Sequence, residues 1–455
     1  MSISSKTVVV LGAAYGGPRA SQVLAAGLPQ GWRVLLIDRN SHTNNIYIFP
    51  RLSVLPGHEH KAFISNANIF LAPEPILHRR LQASVTSISN NSVTLSKAFP
   101  EHDLPAEIVP FDYLIYALGS HLPIPLNLWG TDSSGNPLPS KPTNKGRQLP
   151  VYQGQKGEGI EWMKAHQKIV EGAPTVLVVG GGALGIQFAT DIAEVHPDKK
   201  VTLLHSRKRL LPRFDEAMHT EILSVIDSID NVDVVLGERL DLASVEEDKH
   251  NDVGQRIVRT LSGREIAADL ILLCTGQSPN TGLLKELNPG TVNPGDGLAH
   301  VLRTMQLGVL PAPQTSTGDL EAALKQVSLA DAASKEDEAP EETPYHHIFV
   351  IGDAADAFGA IPAGHNAYYQ GEVAARNIIR LIKRSEGASE ADEPLESYTP
   401  GPPAIKVSLG LNRGVVQSGD IVARKDDAPD DLGAASMWPL FGNNITEAND
   451  PKMYD

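Results

Sequence analysis

"VLVVGGGALGIQFA", residues 176–189, places Gly180, Gly182 and Gly185 in the three slots of a G-x-G-x-x-G turn. A β-branched run precedes the glycines and an amphipathic, helix-length stretch follows, the context a dinucleotide fingerprint requires. The first glycine permits a tight turn, the second lets backbone approach a diphosphate, and the third lets the helix close onto the strand. Upstream, "VVVLGAAYGG" (8–17) repeats the pattern with Gly12, Ala14 and Gly17 in the same slots and Gly16 beside the last. Ala14 departs from it by one methyl, which narrows the approach.

The repetition extends beyond the turns. Residues 6–40 and 174–208 each read as an apolar strand, a glycine turn, an amphipathic helix and a second apolar strand, so the chain duplicates a βαβ unit. Each copy is followed by an apolar run closing on a glycine turn, "FDYLIYALGSHLP" (111–123) with Gly119 and "ADLILLCTGQSPN" (268–280) with Gly276. A third run, "HHIFVIGDAADAF" (346–358), carries Gly352 and Asp353 and leads into a helix from about Pro362, on which Ala367, Gly371, Ala374, Ile378 and Leu381 share a face. The fold class is therefore α/β, with two Rossmann-like dinucleotide-binding domains and a small C-terminal α+β appendage. Two such units imply two nucleotides, and FAD reduced by NADPH or NADH is the economical pairing. The expected boundaries are 1–150 with 291–390 for a discontinuous FAD domain, 151–290 for an NAD(P)H domain and 391–455 for the appendage.

Composition narrows the chemistry. The chain has 455 residues, a formal charge of −15 and one cysteine, Cys274. Net acidity argues against a general nucleic-acid binder. A single thiol cannot form and resolve a disulfide, so dithiol redox chemistry is excluded by counting. Cys274 lies within an apolar run and reads as a buried thiol. "HEH" (58–60) and "HH" (346–347) lack partners at metal-ligand spacing, so no metal site is expected. No apolar stretch approaches the ~20 residues that span a bilayer. With no apolar signal core and Ser2 in place of the glycine that N-myristoylation needs, the expectation is a cytoplasmic protein whose membrane contact, if any, is peripheral. The acidic, Ala/Pro/Ser-rich stretch 311–344 reads as a solvated insertion, and 127–150 as an irregular connection.

The ends of the second strands differ between the copies. "RVLLID" ends in Asp38, at the spacing where an acid meets ribose hydroxyls. In the second copy "LLHSRKRL" (203–210) places His205, Ser206, Arg207, Lys208 and Arg209 there instead. An acid would repel a 2′-phosphate, whereas His205 with Arg207 or Arg209 could hold one, so NADPH is expected to be accepted at least as well as NADH.

With "FPRLSVLPGHEHKAFI", "YALGS", "LLCTGQSPN" and "IFVIGDAADA" added, nearly the whole chain resembles the flavoproteins with two dinucleotide-binding domains. Within them it is similar to the apoptosis-inducing-factor homologues and ferroptosis-suppressor-like NAD(P)H oxidoreductases. The resemblance implies that Gly12, Ala13, Ala14, Tyr15, Gly16, Gly17, Asp38 and Gly119 line an FAD site, and that Gly352 and Asp353 meet its ribityl and pyrophosphate oxygens. Arg51 and Lys61 are implied flavin contacts, and the Val85 backbone an adenine contact. Gly180, Gly182, Gly185, His205, Arg207 and Gly276 would serve NAD(P)H, and His365 could relay a proton to a reduced acceptor. Gln187 stands where relatives often carry Glu.

The implied reaction passes hydride from NAD(P)H to FAD and on to a quinone or other small organic acceptor, in a monomer or homodimer. Two other functions fit the same motifs. One is a tailoring oxidoreductase of a biosynthetic pathway. The other is a redox-sensing flavoprotein that binds a partner through the acidic insertion or "MWPLFGNNI" (437–445).

Overall fold

The computed structural model describes residues 6–71, 77–131, 149–310, 343–387 and 393–454. Nearly all of the acidic insertion and most of the 127–150 connection lie outside them. The chain divides into two compact units, one of residues 1–39, 69–120 and 279–401, the other of 40–68, 121–278 and 402–455.

The first unit is built on a six-stranded sheet. Its order is Gln306–Leu307, Tyr345–Val350, Tyr113–Tyr116, Lys6–Leu11, Trp32–Asp38 and Arg79–Gln82, parallel except for the first strand, which runs antiparallel to its neighbour. Val8, Val9, Val10 and Leu11 are fully buried at the sheet centre, which is why the strand reads as an unbroken apolar run. Helix Gly16–Gly27 crosses helix Gly364–Ser385 at close range: a Cβ on Gly371 would stand 2.6 Å from the Gly16 carbonyl oxygen. On the long helix Ala367, Gly371, Ala374 and Ile378 are buried as the periodicity implied, but Ile382 rather than Leu381 completes the face. Over 22 residues a period of 3.6 drifts relative to the assumed spacing.

In the second unit a four-stranded parallel sheet runs in the order Val232–Leu236, Lys200–His205, Thr175–Val179 and Leu270–Leu273. Helices Ala183–Val195 and Glu216–Ile226 follow the two inner strands in the chain. Helix Lys156–Glu171 begins with a capping box between Gln155 and Glu158, which satisfies backbone donors at its first turn. The tail forms a three-stranded antiparallel sheet, Ala404–Leu409, Arg413–Ser418 and Ile421–Lys425.

The units differ from the expected boundaries. Residues 40–68 share a unit with 121–278, residues 279–290 fall in the first unit, and the expected appendage is divided at Gly401. Within the second unit the Ser41 amide donates to the Gly154 carbonyl at 2.7 Å and Gln167 Nε2 donates to the Leu52 carbonyl at 2.7 Å. These long-range bonds, rather than chain continuity, decide where 40–68 packs. In "MWPLFGNNI" Trp438, Phe441 and Ile445 are buried in the same unit, whereas Pro439, Leu440 and Asn444 are exposed. Among the described residues no helix is long and apolar enough to cross a membrane.

Candidate functional site

The two glycine turns are the same object built twice. In the first unit the Gly12 amide donates to the Ile37 carbonyl at 2.8 Å, and in the second the Gly180 amide donates to the Leu204 carbonyl at 2.8 Å. Gly12 (φ 98°) and Gly180 (φ 127°) both adopt backbone that side chains disfavour. A Cβ on Gly12 would stand 2.3 Å from the Ala117 carbonyl oxygen, and one on Gly180 2.9 Å from that of Cys274. The third slots close the helix on the turn: a Cβ on Gly17 would lie 1.8 Å from the Gly12 oxygen, and one on Gly185 1.9 Å from the Gly180 oxygen.

The middle slots are different from all the rest. Ala14 and Gly182 are exposed although the turns around them are largely buried, and a Cβ on Gly182 would have nothing within 4 Å. Each turn therefore keeps one open face at a helix N-terminus, where backbone N–H groups and the helix dipole favour a diphosphate. The residues present fit dinucleotides in both units.

The strand ends complete each turn. Asp38 Oδ2 accepts from the Ala13 amide at 2.6 Å, and His205 Nδ1 accepts from the Gly181 amide at 3.0 Å. Both acceptors sit one residue beyond a matching pair, Leu11 with Ile37 and Val179 with Leu204, so they are equivalent positions. Arg80, on the neighbouring strand two residues before the partner of Asp38, adds a half-buried cation whose charge bears on that carboxylate. No motif marks Arg80, because its proximity depends on the strand register.

At the third strand, Gly352 (φ 75°) donates its amide to Gln370 Oε1 at 2.7 Å, and Ser120 Oγ donates to Asp353 Oδ2 at 3.1 Å. Ser120 and Gln370 thus hold the Gly-Asp pair in place, and neither was picked out by motif. Tyr15 packs on the start of the long helix, where a Cβ on Gly364 would meet its ring at 2.9 Å. His365 is exposed in the first turn of that helix. Gly119 and Gly276 both have positive φ and open space around the missing Cβ. Val85 opens the strand Val85–Ile88, half-buried and paired with Leu95.

Arg51 and Lys61 both lie buried in the second unit. Arg51 is fully buried in the second unit, 3.0 Å from Asp191, and donates to the carbonyls of Gly410, Leu411 and Asp430. Burial pushes the Asp191 carboxyl up to about 6 even though Arg51 opposes the shift. Lys61 is equally buried and donates to Asp431 Oδ2 at 2.8 Å and Asn449 Oδ1 at 2.9 Å. Both cations are held by the tail, and Arg51 also by Asp191 on helix Ala183–Val195, while the buried Arg51 Nε has no hydrogen-bond partner among the described residues. Gln187 likewise turns inward, its Nε2 donating to Ser408 Oγ at 2.9 Å. Cys274 is partly buried, and desolvation pushes its thiol above the ordinary range.

Comparison with known proteins agrees with this construction. The pyridine nucleotide-disulphide oxidoreductase family profile matches residues 6–298. Fe-regulated protein 8 of Mycosarcoma maydis is 40% identical over 97% of this chain and 96% of its own. Ferroptosis suppressor protein 1 of Mus musculus is 26% identical over 92% of this chain and 90% of its own. The solved water-forming NADH oxidase from Lactobacillus brevis, bound to NADH, has the same fold, with a TM-score of 0.59 at 18% identity over 90% of this chain and 75% of that one. The chain belongs to the pyridine nucleotide-disulphide oxidoreductase family, in the group of apoptosis-inducing-factor homologues and ferroptosis suppressors, and its cofactors are FAD and NAD(P)H.

Proposed function

We propose that the first unit holds FAD, the second holds NAD(P)H, and the protein reduces a quinone or another small organic acceptor in the cytoplasm. The carrying observation is the pair of open glycine turns in a chain with a single cysteine. Many enzymes with this pair of nucleotides hand electrons to a dithiol; this chain has none to receive them. A diffusible acceptor is what remains.

Bound FAD would supply the two-electron chemistry that no side chain can. The chain's own work is binding and charge placement. Backbone amides of the two turns meet the diphosphates, Asp38 accepts from the ribose hydroxyls of FAD, and Gly352 with Asp353 meets the ribityl chain. Helix Gly364–Ser385 offers its positive end, and exposed His365 can carry a proton to the reduced acceptor.

Purified protein should carry oxidised flavin absorbance, lose it anaerobically with NADH or NADPH, and regain it on addition of simple quinones. Bleaching without reoxidation by any quinone would reject the acceptor class. A colourless protein that also fails to take up FAD would reject the reading altogether.

A further inference from the structure

The second glycine turn is tied to the rest of its unit through two imidazoles. The Gly181 amide donates to His205 Nδ1 at 3.0 Å, and the Gly181 carbonyl accepts from the Leu211 amide at 2.9 Å. The adjoining Leu210 amide donates in turn to His219 Nδ1, on helix Glu216–Ile226, at 3.1 Å. Both backbone groups of Gly181 are therefore held by segment 205–211, and that segment is held by His219. The packing is close: a Cβ on Gly181 would stand 2.5 Å from His205 Cγ and 2.7 Å from Leu210 Cδ2. Leu211 has a φ of 46°, backbone that a bulky residue keeps only where its surroundings impose it. In the first copy the equivalent amide is held by the Asp38 carboxylate instead.

An imidazole Nδ1 accepts only while it carries no proton. Protonating either ring turns the acceptor into a donor aimed at an N–H, and one tie is lost. Desolvation lowers the basicity of His205, and Arg207 and His219 lower it further against a backbone hydrogen bond at Arg209, so the ring is neutral at neutral pH. The charged groups of the surrounding elements do not favour the imidazolium. Arg207, Lys208 and Arg209 lie on the segment itself, Glu216 of the helix is 3.4 Å from Arg209, and Glu238 beyond strand Val232–Leu236 is taken by Arg264 at 2.8 Å. Residues 180–190, the turn and the start of its helix, carry no charge.

We propose that His219 is a positioning residue for the nicotinamide nucleotide, acting with His205 to hold the second turn in its binding shape, so that nucleotide binding is coupled to proton loss from both rings. The proposal rests on assigning that nucleotide to the second unit. Its sign separates it from a charge effect. Protonated rings beside a diphosphate would by attraction alone raise affinity in acid, whereas loss of the ties lowers it.

The test titrates the flavin-loaded full chain with ADP-ribose by calorimetry at about pH 7.5 and about pH 5.5, on either side of the ordinary histidine range. ADP-ribose has neither a 2′-phosphate nor a dihydronicotinamide ring, so its own charge is the same at both. Wild-type affinity should fall about tenfold at the lower pH, the effect of leaving a buried amide without its acceptor. Binding near the midpoint should release protons, read from the heats in two buffers of different ionisation enthalpy. His219→Asn and His205→Asn each offer a side-chain oxygen that accepts and does not titrate. Asparagine and histidine have similar helix propensity, and thermal melts at both pH values check that each variant is folded. Each substitution should shrink the affinity ratio and the proton release, and the pair should abolish both. A wild-type affinity that is constant or rises in acid, or a ratio that neither substitution moves, would overturn the proposal. Failure of the wild type to bind ADP-ribose at either pH would overturn the assignment of the nucleotide to the second unit, and the proposal with it.

Discussion

Gly182→Ala separates nucleotide binding from folding. The new Cβ has nothing within 4 Å, and the residue already has ordinary φ and ψ of −84° and 176°. Stability then depends on two small opposing effects. Alanine is a poorer N-cap than glycine by about 0.5 kcal/mol, and it restricts the unfolded chain by about 0.4–1 kcal/mol. The net lies within about 0.5 kcal/mol of zero, so Tm should move by no more than about 2 °C. Binding should respond differently, because the methyl occupies the face left open for the diphosphate. Losing one backbone contact to a charged oxygen costs about 1.5–3 kcal/mol. Ala14 holds the same slot in the first turn, so the lower bound applies and NADPH affinity should fall about tenfold. Gly185→Ala is the counter-arm: its Cβ would sit 1.9 Å from the Gly180 oxygen, so the helix must move. Overpacking of that kind costs about 3 kcal/mol, or roughly 10 °C in Tm. Thermal melts by circular dichroism and NADPH titration by fluorescence give both readouts. If Gly182→Ala bound NADPH as the wild type does, the middle slot would not be where the diphosphate approaches.

Three further outcomes follow from the buried charges and the thiol. Arg51→Met leaves Asp191 without its cation and should cost about 3–5 kcal/mol in urea unfolding, most of it regained in the pair with Asp191→Leu. A flavin spectrum changed by Arg51→Met without loss of stability would make Arg51 a flavin contact instead. His60, stacked on Tyr454 at 3.8 Å, is pushed down to about 4 by desolvation and then by Lys61. The unfolded chain therefore binds its proton first, and stability should fall as pH drops from 6.5 towards 4. His60→Phe should flatten that limb of the pH–stability curve, and an unchanged slope would rule the imidazole out. Cys274 should resist iodoacetamide at pH 8 in the native protein and react at once in denaturant; equal rates would contradict its burial.

The duplicated units were legible in the sequence because a strand, a glycine turn and a helix are local. A Cβ on Gly12, Gly17, Gly180 or Gly185 would stand 1.8 to 2.9 Å from a backbone carbonyl oxygen, so only glycine fits there. Asp38 and His205 were found by spacing for the same reason. Arg51 and Lys61 were picked out as flavin contacts by resemblance, without sight of the carboxylates they pack against. Their motif resemblance was local, whereas their partners Asp191 and Asp431 lie some 140 and 370 residues further along the chain. A buried cation and a ligand-binding cation look alike until the carboxylate that neutralises the buried one is placed.

The sequence by itself determined the fold class, the pair of nucleotides and the exclusion of dithiol chemistry, because periodicity, glycine spacing and a cysteine count require no long-range contact. Only the tertiary structure decided where 40–68 and the tail pack, which cations are spent on burial, and that His205 does the work of Asp38 without its charge. Each of those depends on side chains brought together from distant segments, and on the cost of leaving a buried charge or amide without a partner.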